Sequence, residues 1–259
     1  MHDFTHISHG LLLEYFIDLG YSFLTFNEHL ISNEEVPSKQ IILRHDVEQR
    51  YKSALIFAKI QHNLGIKGTY FFRILPNSFK PDIVKQISDL GHEVGYHYDD
   101  LTEIKGDYEK AIVRFKNNLN ILRDIAPVKT ICMDGSPLSS YDNKDLWNQY
   151  DYKDFGIIGE PYYDMDFDDF FYLTDTGRRW DGWKTSVRDK VPQQEKWNQE
   201  GLVFHSTNDI INAANQGKLP DKIMMTFHPQ RWHNSSIPWF KELVLQNAKN
   251  VVKRFIVKE

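Results

Sequence analysis

Residues 41–50, IILRHDVEQR, run three aliphatic side chains and an arginine into His45, Asp46, Val47 and Glu48. Alternate side chains of a strand share a face, so Asp46 and Glu48 point one way and His45 and Val47 the other. Carboxylates are costly to bury unless something pairs with them. Two that converge can divide the work of a hydrolase, one holding a divalent cation and the other taking a proton from water. The plainer reading of an isolated Asp-x-Glu is an acidic loop that caps the next helix. In GHEVGYHYDDL, residues 91–101, His92 and His97 are separated by roughly 16 Å of extended chain and lie on opposite faces, so a regular strand cannot bring both to one ion. His97, at the strand end, is the better ligand, and His92 reads as a surface or turn residue. In MMTFHPQRW, His228 ends an apolar run and Pro229 stops the ladder; an imidazole there can protonate a leaving amine, its ordinary pKa lying near neutrality.

These residues need a frame that gathers strand ends. Short β-rich runs alternate with helical patterns along the chain: IILRH, then a helix ending at Gly65; GTYFFR, then PDIVKQISDLG with Pro81 near its start and Gly91 past its end; EVGYHY, then a helix over 108–125. VKTICM, FGIIG, FFYLT and KIMMTFH read as further strands, and a last helix starts near Pro238. This alternation predicts an α/β fold with a parallel sheet and right-handed crossovers. Asp46, Glu48, Arg73, His97, Asp134, Glu160, Asp175 and His228 each fall at the C-terminal end of a predicted strand, which favours a closed barrel with its chemistry on one rim over an open sheet with a switch point. Residues 161–201 read as an irregular loop layer over the mouth of a single domain spanning 1–259.

The bulk numbers are compatible with that frame. The 259 residues are 41% hydrophobic and 26% charged, enough for one large domain or at most two small ones. A net charge of −5 and the lack of a dense basic block argue against a nucleic-acid partner. Cys132 is the sole cysteine, which rules out an intramolecular disulfide and fits a reducing cytoplasm. It reads as a buried small residue without a local base. The N-terminal apolar patch is broken by Glu14 and Asp18 at helical spacing, so it reads as an amphipathic helix and not a signal peptide. No run reaches the roughly 18 apolar residues of a membrane span. Together these predict a cytoplasmic protein, in which Asn234-Ser235-Ser236 is a sequon without consequence.

Taken in order, LRHDVE, GTYFFR, GHEVGYHYDDL, DGSPLSSYDN, TDTGRRW and FHPQRW resemble the polysaccharide deacetylases of the NodB-homology type, carbohydrate esterase family 4, and most of all a subgroup found among bacterial surface-polysaccharide genes. The resemblance spans residues 40–232. It implies a distorted (β/α)7 barrel, a divalent metal, usually zinc, and hydrolysis of an N-acetyl group from a sugar, here a precursor of surface polysaccharide such as lipopolysaccharide. It makes Asp46 the general base, puts Glu48 where an aspartate normally binds the metal, matches His97 to the first histidine of a His-x-x-x-His motif, and makes His228 the general acid. Leu101 stands where the second histidine is expected, and an Arg-x-Pro-Tyr motif is replaced by DGSPLS. A catalytic zinc takes three protein ligands and a water, and Asp134, following VKTICM on the same rim, is the candidate third. The oxygen-rich set loosens the preference for zinc over harder ions.

Arg73 and Arg178 or Arg179 can fork onto a substrate carboxylate or phosphate, or neutralise the acidic rim. Asp175 can orient a catalytic group or cap the turn at Gly177. Trp180, Trp183 and Trp232 can offer faces to a sugar ring or pack on one another. Asp142 or Asn143 starts a helix, and Ser136, lacking a Gly-x-Ser-x-Gly elbow, belongs to a rigid turn. A non-catalytic carbohydrate-binding protein and a metal-dependent amidohydrolase of a small non-sugar amide are the alternative functions.

Overall fold

The computed structural model describes residues 2–32, 37–181, 186 and 188–256, with side chains as far as 252. Its frame is a parallel sheet of strands β1 (Ser22–Leu24), β2 (Gln40–Val47), β3 (Thr69–Phe72), β4 (Glu93–Tyr98), β5 (Ile131–Met133), β6 (Phe171–Thr174) and β7 (Lys222–Phe227). β2 pairs β3, β3 pairs β4 and β4 pairs β5; on its other side β2 pairs β7, which pairs β6. Gly159 then adds to the edge of β5 through a bridge to Thr130, with Ile131 N–H donating to its carbonyl at 3.1 Å. The order across the curled sheet is therefore the 157–159 segment, β5, β4, β3, β2, β7 and β6, and no ladder among the described residues joins its two edges. The fold is a distorted (β/α)7 barrel.

Helices α1 (His6–Asp18), α2 (Phe26–Ile31), α3 (Tyr51–Asn63), α4 (Pro81–Asp89), α5 (Asp100–Glu103), α6 (Tyr108–Arg123), α7 (Pro161–Asp164), α8 (Gln194–Gln199), α9 (Thr207–Asn215) and α10 (Ser236–Ile256) complete the chain. α1 begins in a capping box between Thr5 and Ser8 and buries Leu12, Leu13 and Phe16, leaving Glu14 outside. Every residue of β2 is buried, as expected of a parallel strand covered on both faces. No helix among the described residues is long and apolar enough to cross a membrane.

Two expectations need correction, and one strand has no counterpart in the sequence reading. FGIIG is a single bridge and not a strand, because a 3-10 turn over Tyr152–Phe155 ends on Gly156 at φ 69° and Pro161 starts α7, leaving too little extended chain to pair. β1, only three half-buried residues long, lies beside the lower half of β2 while β3 takes the upper half of the same edge, and its shortness hides it from periodicity. The stretch 161–201 is not wholly a mouth layer, since β6 within it is a barrel strand with Phe171, Tyr172 and Leu173 in the core.

Two local features aim the site. Gly95 of β4 is registered against Phe71 of β3, and a Cβ there would lie 2.3 Å from the Phe71 ring, so only glycine allows the close approach of these two strands. Past β2, Arg50 adopts φ 54°, a left-handed turn that drops the chain into α3 and leaves Glu48 on the rim.

Candidate metal and acid-base site

The C-terminal ends of β2, β4, β5 and β7 converge on a cleft of about 560 Å³ whose floor carries Asp46, Glu48, His97, Asp134 and His228. Arg44 and Asp46, two apart on β2, both face inward. Arg44 grips both carboxylate oxygens of Asp46, Nε to Oδ1 at 2.9 Å and Nη2 to Oδ2 at 2.8 Å, and its guanidinium lies 5.0 Å over the Tyr162 ring. Burial opposes ionisation of Asp46, but the Arg44 charge, with lesser help from His97 and His228, outweighs it and holds this carboxyl below its usual range.

His97 donates its Nδ1–H to the Cys132 carbonyl at 3.0 Å, which fixes the tautomer and presents the Nε2 lone pair to the cleft. That lone pair faces Asp134 Oδ2 at 3.7 Å and Asp46 Oδ2 at 3.9 Å. Ligand atoms of Glu48, His97 and Asp134 all lie within 4.8 Å of one another, as do those of Asp46, His97 and Cys132. Charge distinguishes the two groups. Asp46 is already neutralised by Arg44, and burial pushes the Cys132 thiol well up, keeping it protonated. Glu48 meets the neutral Gln230 amide at 2.8 Å, and Asp134 accepts from Ser136 N–H at 2.9 Å and Ser136 Oγ–H at 2.5 Å, with Arg73 only at 3.4 Å. One imidazole lone pair, the Glu48 carboxylate and an Asp134 carboxylate only partly offset by Arg73 suit a divalent cation, and three protein ligands leave room for water.

His228 is set from behind. Its Nδ1–H donates to Asp175 Oδ1 at 2.6 Å and its backbone N–H to Oδ2 at 3.0 Å, while Trp232 Nε1–H at 2.6 Å and Arg231 at 3.1 Å also donate to Asp175. Nε2 is thereby aimed into the cleft, 3.6 Å from Glu48 Oε1 and 3.9 Å from Asp46 Oδ2. Burial and the Arg231 charge lower the His228 pKa, but Asp175 and Glu48 outweigh them and raise it above the ordinary value.

Several expected roles are corrected. Of the two roles open to Asp175, its contacts with His228 support orienting that imidazole, but it is fully buried and does not contact substrate space. Trp232, wholly buried, spends its indole N–H on Asp175, and Trp180 packs on Phe227 with its N–H on Thr207; neither offers a face to a sugar. Trp183 lies outside the described residues. Arg178 stacks on Trp239 and Phe4 and donates to the Trp239 carbonyl, away from the cleft, and Arg179 is paired with Asp181. Arg73 does line the cleft, but its guanidinium is committed to Asp99 at 2.6 Å and to Asp134, so it neutralises the rim. His92 is not a surface residue: it is buried, donates Nε2–H to the Ala58 carbonyl at 2.9 Å and accepts from Gly68 N–H at 3.2 Å. Leu101 sits in the core in α5.

Arg44 and Asp189 were not anticipated. Asp189 accepts from the hydroxyls of Tyr162 (2.7 Å), Thr174 (3.0 Å) and Thr176 (2.8 Å) and from Tyr172. Burial opposes its ionisation, yet Arg44 and His228 hold it well below the usual carboxylate range. Arg44 shares the parity of Asp46 and Glu48 on β2, which is a readable signal. Asp189 follows an irregular stretch and leaves none.

No protein-family model and no curated protein sequence matches the chain. Solved structures do. Carbohydrate esterases of family 4 are among its structural neighbours. A pseudoenzyme of that family aligns with a TM-score of 0.43 and 13% identity, over 83% of this chain and 63% of its own, so this chain spans under two thirds of that protein. The Bc1960 peptidoglycan N-acetylglucosamine deacetylase aligns at 0.40 and 17% identity, over 92% and 90%. Bacillus subtilis PdaA, a family 4 carbohydrate esterase, aligns at 0.39 and 13%, over 92% and 84%. The chemistry of this chain rests on its own side chains.

Proposed function

We propose that the protein is a metal-dependent hydrolase that removes the N-acetyl group from a sugar precursor of a bacterial surface polysaccharide. The observation that carries the reading is the convergence, on one cleft floor, of a three-residue ligand set flanked by a carboxylate and by a histidine backed by a buried aspartate. The ordered motifs point the substrate toward an N-acetylated sugar.

Glu48, His97 and Asp134 would hold the cation, with zinc the first choice for a set that includes an imidazole. A divalent cation in this place supplies a Lewis acid for the acetamide carbonyl and lowers the pKa of water in the cleft. Asp46, kept ionised and immobile by Arg44, accepts the proton of the attacking water. The new C–O bond forms at the carbonyl carbon, and the C–N bond breaks as His228 Nε2–H gives its proton to the departing amine. Asp175, accepting from Nδ1–H, favours the charged imidazolium, whose second proton sits on Nε2 and is the one given up. Acetate and the free amino sugar leave, and transfer of the proton from Asp46 restores His228.

Asp46→Asn tests the assignment. Acetate release from N-acetylhexosamine substrates should be lost while metal content stays near that of the wild type; loss of the metal as well would move Asp46 from base to ligand. The two-point Arg44 pair, which weakens Asp46 as a base, favours a second reading, a carbohydrate-binding protein without turnover. That reading predicts sugar binding with no acetate released from nucleotide-linked, lipid-linked or oligomeric substrates. Release from simple amides alone would instead select a small-amide hydrolase.

A further inference from the structure

A surface helix normally turns its apolar stripe to the core and its polar one to water. In α10 much of this is reversed. Trp239 turns inward with its N–H on the Asp3 carbonyl and Leu243 is half-buried, but the rest of the inner face is held by polar groups one turn apart: Glu242, 3.9 Å from Arg50; Gln246, donating to Asn250 Oδ1 at 2.9 Å; and Asn250, donating to the Gly177 carbonyl at 2.9 Å. Gln246 and Asn250 are buried. Ile237, Phe240, Val244, Leu245, Val251 and Val252 point outward, each more than half exposed, with Phe240 at 61%. Exposed apolar side chains that follow one helix face for its described length mark an interaction surface.

The charges around this stripe select what covers it. Glu242 is the one acid in the described part of α10, and it is turned inward with its side chain 12% exposed. Exposed Lys241 and Lys249 flank the apolar residues, and Arg50 and Lys52 join Lys241 around a second cleft at the start of the helix. In a chain of net charge −5 this face is basic and apolar together. An amphipathic helix of that composition lies in the headgroup region of an anionic bilayer, with basic side chains among the phosphates and apolar ones below them. No helix among the described residues can span the bilayer, so the contact is one of lying on it. The same helix forms one wall of the catalytic cleft: Leu245, Ala248 and Val252 face its mouth, together with Leu138, which is 84% exposed.

We infer that the outer face of α10 docks on an anionic lipid surface and that the cleft opens along it, which, if the deacetylase reading holds, makes a lipid-linked N-acetyl sugar the substrate class. Co-sedimentation of the full chain with vesicles tests the docking without any use of turnover. The wild type should partition at least tenfold more to vesicles of equal phosphatidylglycerol and phosphatidylcholine than to phosphatidylcholine alone. Phe240→Ser with Val244→Ser, neither residue lining the catalytic cleft, should abolish partitioning, and Lys52→Glu with Lys241→Glu should remove the preference for phosphatidylglycerol. Acetate release from a water-soluble sugar should be unchanged in these variants. Failure of the wild type to bind either vesicle overturns the docking, as does a wild-type dimer in light scattering that the serine variant turns into monomer, which would assign the face to a second copy. Vesicle binding without acetate release from any sugar would leave the docking standing and remove the deacetylase.

Discussion

The molecule holds two sets of buried histidines on the two faces of one sheet, and their neighbours give them opposite chemistry. Outside the barrel wall, His45 stacks on Tyr70, donates Nδ1–H to the Thr69 carbonyl at 3.0 Å and accepts from the Gln61 amide at 2.7 Å; His9 stacks on Phe57 and His92 is tied to backbone. Burial depresses all three, His45 to about 3 and His92 to about 4, so they are neutral packing elements. Inside, His97 and His228 have one nitrogen fixed and the other turned toward carboxylates. Residue type alone therefore says little about a buried imidazole; the group behind it and the charge in front of it decide between ballast and chemistry.

The sharpest way to break the comparison is to exchange losses between the two sets. His228→Asn should lower acetate release by about 10³-fold, within the range for an acid catalyst, while thermal unfolding shifts little, because Asp175 keeps Arg231 and Trp232 as partners. Arg44→Met should cost about 3–5 kcal/mol of folding stability in denaturant titration, since it strands the buried Asp46 charge and takes away the cation beside half-buried Asp189. His45→Asn should cost about 1–3 kcal/mol through lost partners for Gln61 and Thr69 and leave turnover per folded molecule intact.

The pH dependence separates the sets by sign. The outer histidines have folded pKa values below the unfolded one, so their contribution to stability is full above about pH 6.5 and is lost as pH falls through that value toward 4 and 3. The difference between the wild type and His45→Asn in urea titrations between pH 7 and 4 should show it, because buried Asp100 and Glu160, raised to about 7, titrate over the same window with the opposite sign in both proteins. His228 runs the other way: its raised pKa gives stability that is full below about 6.5 and is lost as pH rises through the folded value, and acid catalysis falls over the same rise. The smallest effect follows. Asp175→Asn removes the group that raises His228, so the alkaline limb of the rate profile should move to lower pH.

Much of this was readable from the chain, for physical reasons that differ by element. β4 spans 93–98 as its sequence indicates, bounded by Gly91 and the Asp99-Asp100 pair, and strand parity separates Asp46 from His45. The same parity puts Arg44 beside Asp46, and a count by twos would have found it. The tryptophans were not readable: a strand or loop pattern gives Trp232 a position but not a direction, and a buried indole N–H seeks an acceptor, here Asp175, in preference to a cleft. His92 misled because its turn-like surroundings conceal a contact with Ala58 of α3, distant in sequence. The inverted face of α10 was equally hidden, since its apolar spacing reads as an ordinary core helix.

The most direct test is an anomalous-scattering map from a crystal grown with zinc. A single strong peak within bonding distance of His97 Nε2 and of carboxylate oxygens from Glu48 and Asp134, with Asp46 still on Arg44, is the expected result. No peak in the cleft at saturating zinc, or a peak held by Asp46 and Cys132 instead, would contradict it.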